Sequence, residues 1–155
     1  VDLLLIVEEA VETLLPLAEK HGVSIETSDG MGLTTGSRTL LQQLTTNLLH
    51  NAIVHNLPGH GSIWIAVRDR PESVTLAVEN TGETLDPELV ATLSEPFRRG
   101  TERIHSDHAG VGLGLAIVKS IALAHDGTVA LTARPSGGLC VTVELPIANC
   151  GRGPT

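Results

Sequence analysis

Two groups of residues in this chain have types and spacing suited to chemistry. The first is the run Gly110, Val111, Gly112, Leu113, Gly114 and Leu115, at the join between a polar stretch and an apolar helical pattern. Glycines there let backbone N–H groups approach a phosphate, and a helix start adds unpaired donors and a positive dipole end. A dinucleotide fingerprint would need a preceding strand and an acidic residue about 20 positions later. Here Arg103 to Ala109 is polar and the region near 134 reads Ala-Arg-Pro; the Gly-Lys-Ser/Thr of a Walker A loop is also absent. By itself the run reads equally as a glycine-rich turn serving tight helix packing.

The second group is Asn47 and Asn51, four apart and therefore on one face of a helix otherwise crowded with leucines. Carboxamides in such surroundings need partners. Asn51 could offer an uncharged oxygen to Mg²⁺, a hard ion that keeps waters and substrate phosphates as its other ligands. Two buried asparagines bonded to nearby backbone is the structural alternative.

The elements that must position these residues follow from periodicity. Apolar positions from Leu3 to Ala18 fall at helical spacing, stopping near His21-Gly22. Val23 to Thr27 alternates like a short strand, and Ser28 to Gly36 reads as turns. Ser37 is a good N-cap for a second helix that reaches Asn56 and is ended by Leu57-Pro58-Gly59. Ser62 to Arg68 and Val74 to Glu79 read as an antiparallel pair, and Asp86-Pro87 as the start of a short helix reaching Leu93. Arg98 to Gly110 lacks periodicity and is expected to be a mobile loop long enough to suggest function. Residues 112 to 125 form the last helix, closed by Asp126-Gly127. Strands Thr128 to Thr132 and Leu139 to Leu145 flank a Pro135-Ser136-Gly137-Gly138 turn. The expected fold class is α+β: a two-layer α/β sandwich with an approximately five-stranded mixed sheet and three main helices on one face. Residues 1–147 are expected to form one domain and 148–155 a flexible tail.

Composition narrows the partners. With 155 residues, 41% hydrophobic, one Phe, one Trp and no Tyr, the core must be aliphatic, and stacking on nucleic-acid bases is nearly excluded. A formal charge of −8 argues against a phosphate-backbone partner such as DNA or RNA. Lys20 and Lys119 are the only lysines, so an anion must be held by arginine, backbone N–H groups or a metal. Cys140 and Cys150 show no metal or redox spacing, as expected of reduced thiols. The apolar run from Leu3 to Val7 is far short of the roughly 20 residues needed to span a bilayer.

Together with two further segments, these residues resemble the four boxes of the ATP-binding domain of sensor histidine kinases, within the GHKL (Bergerat-type) ATPase superfamily. Asn47-Leu48-Leu49-His50-Asn51-Ala52 resembles the N box, and Glu79-Asn80-Thr81-Gly82-Glu83-Thr84 the first glycine box. Glu95-Pro96-Phe97-Arg98-Arg99-Gly100 resembles the F box, and Gly110 to Lys119 the second glycine box. The wording around His50 to Pro58 and Gly100 to His105 further resembles actinobacterial vancomycin-resistance sensor kinases.

The resemblance implies that ATP and Mg²⁺ are bound, that Asn51 is the metal ligand and that Asn47 lies beside it on the phosphate side. It implies that Arg99, with Arg98 adjacent, meets the γ-phosphate, and that the polar loop is an ATP lid. Asn47, Asn51 and Arg99 are the implied catalytic set. Asn80, Gly82, His55 and the amides from Gly110 to Leu115 complete the implied nucleotide contacts. The family's adenine-binding Asp is Asn80 here, its N-box Lys is Val54, its Tyr is His55, and Thr84 replaces a glycine. None of the seven histidines has the setting of a phosphoacceptor. The implied partners are therefore the phosphoacceptor dimerisation helices of the same kinase and a cognate response regulator. The implied location is the cytoplasmic side of a cell-membrane protein, attached through an N-terminal part not in this chain. A non-catalytic nucleotide-sensing module and an anti-sigma-factor serine kinase are the alternatives.

Overall fold

The structure, a computed structural model, describes residues 1–28, 30, 32–56, 59–82 and 106–147, the side chains of 106–114 excepted. The expected short helix at 86–93, the F box, Arg98, Arg99, Arg103, His105 and the tail from 148 lie outside the described residues.

Helix α1 spans Leu3–His21. It opens where the Asp2 carboxylate accepts the N–H of Leu4 at 3.0 Å and closes on Gly22 in the left-handed region (φ 69), whose N–H returns to the carbonyls of Ala18 and Glu19. Strand β1 follows at Val23–Thr27. Helix α2 spans Arg38–Val54, capped by the Ser37 hydroxyl, which accepts the N–H of Leu40 at 3.2 Å. Its leucines Leu41, Leu44, Leu48 and Leu49 are buried, as their spacing predicts. Strands β2 (Gly61–Asp69) and β3 (Ser73–Asn80) come next. Helix α3 (Ser106–Ala124) precedes β4 (Thr128–Ala133) and β5 (Leu139–Pro146).

The sheet runs β1-β2-β3-β5-β4, with β1 parallel to β2 and every other pairing antiparallel. Alternation along each strand sorts the two faces. Ile63, Ile65 and Val67 of β2, Val74, Leu76 and Val78 of β3, and Val141, Val143 and Leu145 of β5 point to one side. There they form a single core with the buried faces of the three helices. The other face carries Trp64, Arg68, Glu79, Cys140 and Glu144. This is the expected α+β two-layer arrangement, with a mixed five-stranded sheet and three helices.

One element departs from its expected bounds. Helix α3 begins at Ser106, six residues before the expected start, so Gly110, expected in the polar loop, lies inside the helix along with Gly112 and Gly114. Each glycine costs a helix only about 1 kcal/mol relative to alanine, whereas proline, absent from this stretch, costs about 3. Three glycines separated by Val111 and Leu113 therefore weaken the helix without ending it.

Candidate functional site

Asn47 and Asn51 sit one turn apart on α2, half-buried. The Nδ2 atom of each is buried with no hydrogen-bond partner among the described residues. An unpaired buried donor costs about 1–3 kcal/mol, so these two amides call for acceptor oxygens beyond the described residues. Turned over, either amide presents Oδ1, a neutral hard oxygen. One such ligand supplemented by phosphate oxygens and water is a common way of holding Mg²⁺, so Asn51 fits the expected metal role. No cluster of three or more His, Cys, Asp or Glu exists among the described residues to hold a metal without a substrate's help.

The carboxyl end of α2 is fastened to the sheet beside these amides. Asn56 donates through Nδ2 to the carbonyls of Ala52 (3.0 Å) and Ser62 (3.1 Å). The Thr81 hydroxyl donates to Asn56 Oδ1 at 2.5 Å and accepts the Ser62 N–H at 2.8 Å. This network ties the end of α2 to the start of β2 and the end of β3. His55 is the C-cap of α2 and is exposed; a Cβ placed on Gly82 would lie 3.1 Å from its carbonyl oxygen. A side chain at position 82 would press on that carbonyl, so glycine here lets the two segments meet.

Asn80 ends β3 at 7% exposure, on the core-facing side shared by Val74, Leu76 and Val78. Its Nδ2 donates to the Thr81 carbonyl at 2.8 Å. That bond assigns the amide's orientation and leaves Oδ1 as the side suited to an incoming donor.

Helix α3 packs against α2. At the N-cap of α2 and just past the end of α3, the Ser37 N–H donates to His125 Nε2 at 3.0 Å, while His125 Nδ1 lies 2.8 Å from the Ile121 carbonyl. With Nε2 accepting from Ser37, Nδ1 is the nitrogen placed to donate to the Ile121 carbonyl. Because the start of α2 meets the end of α3, the glycine-rich start of α3 is directed toward the half of α2 that carries Asn47 and Asn51. Helical geometry sends the N–H of Gly110, Val111, Gly112, Leu113 and Gly114 toward carbonyls four residues back, so their expected role as phosphate donors requires these turns to open. The Leu115 side chain, at 1% exposure, belongs to the aliphatic core, so its expected contact falls to its backbone amide. Lys119 is half-buried further along α3, and burial pulls its pKa down.

Sequence reasoning missed Asn56, Thr81 and Arg134. Arg134 follows β4, and its Nε lies 2.7 Å from Glu79 Oε2 while its guanidinium stands 5.1 Å from the centroid of the Trp64 ring. Arg134 and Glu79 lie on either side of β5, so no local spacing signals the pair. Reading it requires the strand register, which pairs Glu79 with both Trp64 and Cys140.

The sequence profile described as "Histidine kinase-, DNA gyrase B-, and HSP90-like ATPase" matches residues 36–149. Sensor protein CutS of Streptomyces coelicolor is 37% identical over 148 residues, covering 95% of this chain and 36% of that protein. Sensor-like histidine kinase SenX3 of Mycobacterium tuberculosis is 34% identical over 147 residues, covering 94% of this chain and 36% of that protein. The chain thus spans about a third of the length of these curated relatives. Among solved structures, the mycobacterial sensor histidine kinase MprB matches with a TM-score of 0.76 at 23% identity, covering 94% of this chain and 95% of that one. The ATP binding domain of PrrB from Mycobacterium tuberculosis matches with a TM-score of 0.74 at 19% identity, covering 96% of each. At these identities the structural likeness speaks to the fold.

Proposed function

The chain belongs to the histidine kinase-, DNA gyrase B- and HSP90-like ATPase family, and on that premise we propose that it is the catalytic domain of a two-component sensor histidine kinase. In this reading it binds Mg-ATP and passes the γ-phosphoryl group to a histidine on a separate dimerisation domain, from which a response regulator receives it. The observation that carries the reading is the pair of buried amide donors at Asn47 and Asn51, without partners among the described residues, beside the fastened end of β3.

Each residue then has a role. Asn80 accepts a hydrogen bond from the adenine amino group, and Gly82 and His55 border the base. Asn47 and Asn51 meet the phosphates. Asn51 would hold Mg²⁺, which when bound would neutralise phosphate charge. The amides of Gly110 to Leu115 and the guanidinium groups of Arg98 and Arg99 hold the β- and γ-phosphates. Phosphoryl transfer asks little covalent chemistry of the protein, so positioning and charge neutralisation carry it. An asparagine at position 47 cannot act as a general base toward water, which favours transfer over hydrolysis.

Replacement of the family's adenine-binding Asp by Asn80 and of its Lys by Val54 favours a second reading, a module that senses nucleotide without transferring phosphate. The resemblance to vancomycin-resistance kinases finds no counterpart in the names of CutS, SenX3 or MprB, so glycopeptide sensing is not part of the proposal. No helix among the described residues is long and apolar enough to cross a membrane. A cytoplasmic place beneath a membrane-anchored sensor is proposed from the resemblance of its four boxes to those of sensor histidine kinases. The test is incubation with γ-labelled ATP, Mg²⁺ and a dimeric phosphoacceptor fragment from a related kinase. Acid-labile label on the fragment's histidine supports the kinase; nucleotide binding without transfer supports the sensor.

A further inference from the structure

Arg134 reaches the end of β3 from the face of the sheet opposite the helices. Its Nη1 donates to the Gly137 carbonyl at 3.0 Å and, at a longer 3.4 Å, to the carbonyl of Asn80. Its Nε pairs with Glu79 at 2.7 Å, and its side chain is only 18% exposed. The turn that Arg134 closes lies directly on the same backbone. Gly138 has a φ of +96, and a Cβ added to it would fall 1.9 Å from the Asn80 carbonyl oxygen. The Arg134 N–H also donates to the Gly138 carbonyl at 3.0 Å. Backbone at Asn80 and Thr81 is thus held from outside by a turn and a forked cation, while the Asn80 side chain lies on the inner face.

An asparagine is ambivalent in a way an aspartate is not, because its amide can present either an acceptor or a donor. Here Nδ2 is committed to the Thr81 carbonyl, so the fixed position of that carbonyl decides which end of the amide faces a ligand. We propose that Arg134 is a positioning residue for base selection: by fixing the Asn80–Thr81 backbone it keeps Asn80 Oδ1 outward, so that the site takes a 6-amino purine in preference to a 6-oxo purine. The inference rests on the reading that Asn80 meets the base. Release of the backbone frees the Asn80 amide to turn over and offer Nδ2 to a 6-oxo group.

The test is titration calorimetry with ATP and with inosine triphosphate, which differs from ATP in carrying the 6-oxo group. The unmodified chain is expected to prefer ATP about tenfold, the size of one mismatched buried hydrogen bond. In Arg134→Ala the ratio falls to within about twofold of unity, because the amide pairs with either base. Arg134→Lys keeps a charge beside Glu79 without the forked donors and shows the same fall, which covers the case of an alanine variant that does not fold. Adding Asn80→Asp to the arginine variant restores the preference, since a carboxylate only accepts. An unchanged ratio in both Arg134 variants overturns the proposal, as does a preference that Asn80→Asp fails to restore. A different result, ATP affinity unaltered in Asn80→Ala, removes Asn80 from the base and overturns the underlying reading itself.

Discussion

Replacing Asn80 by Asp sets stability against nucleotide affinity. The Asn80 amide donates to the Thr81 carbonyl at 2.8 Å in a position only 7% exposed. An ionised carboxylate there loses that bond and places an acceptor oxygen against a carbonyl oxygen. The lost bond is worth about 1 kcal/mol and the uncompensated acceptor costs about 1–2 more. At about 2–4 °C per kcal/mol for a domain of this size, the nucleotide-free melting temperature falls by roughly 4–12 °C. Affinity moves the other way. A charged acceptor roughly doubles a hydrogen bond worth about 1 kcal/mol, which tightens ATP about fivefold. Thermal melts without nucleotide and calorimetric titration with Mg-ATP, run on the same preparations, read both effects. An Asn80→Asp variant that melts where the parent does and binds ATP no better would refute both the Thr81 contact and the adenine contact assigned to this residue.

Three smaller tests bear on other parts of the structure. Thr81→Val removes the donor to Asn56 and the acceptor of the Ser62 N–H. Urea unfolding should show a loss of about 2 kcal/mol, with weaker ATP binding because the end of α2 is released from β3. At Cys140, burial foremost and then the Glu79 carboxylate hold the thiol pKa above its ordinary value. Alkylation by iodoacetamide at alkaline pH is therefore slower in the folded chain than in denaturant. A raised folded pKa stabilises the fold fully below the ordinary thiol range, about 8.5, and that contribution is lost as pH rises through the raised value. His125→Ala removes the acceptor of the Ser37 N–H and should cost about 1 kcal/mol by thermal melt.

The sequence makes the fold legible where periodicity and local signals agree. Ser37 is readable as an N-cap, and the leucines of α2 and the alternation in β2 and β3 assign one buried face to each element. The start of α3 is read six residues late from sequence because Ser106 to Gly110 carries no apolar periodicity. The site is legible only in its parts near in sequence. Asn47 and Asn51 declare themselves by spacing. Asn56 meets Thr81 across 25 positions and Arg134 meets Asn80 across 54, contacts that exist only once the strand register is set. Asn80 is recognisable through resemblance, but the bond that orients its amide is not foreseeable from a neighbour's identity, because Thr81 contributes a backbone carbonyl.

The central claim is that this acidic chain holds ATP through Mg²⁺ and the amide pair on α2. Its most direct test is titration of ATP into the chain and into Asn51→Ala, each with Mg²⁺ and then with EDTA. The account predicts tight binding only for the unmodified chain with Mg²⁺, a loss of at least about tenfold on chelation, and little further loss on chelation in Asn51→Ala. ATP affinity that survives both EDTA and loss of the Asn51 amide would contradict it.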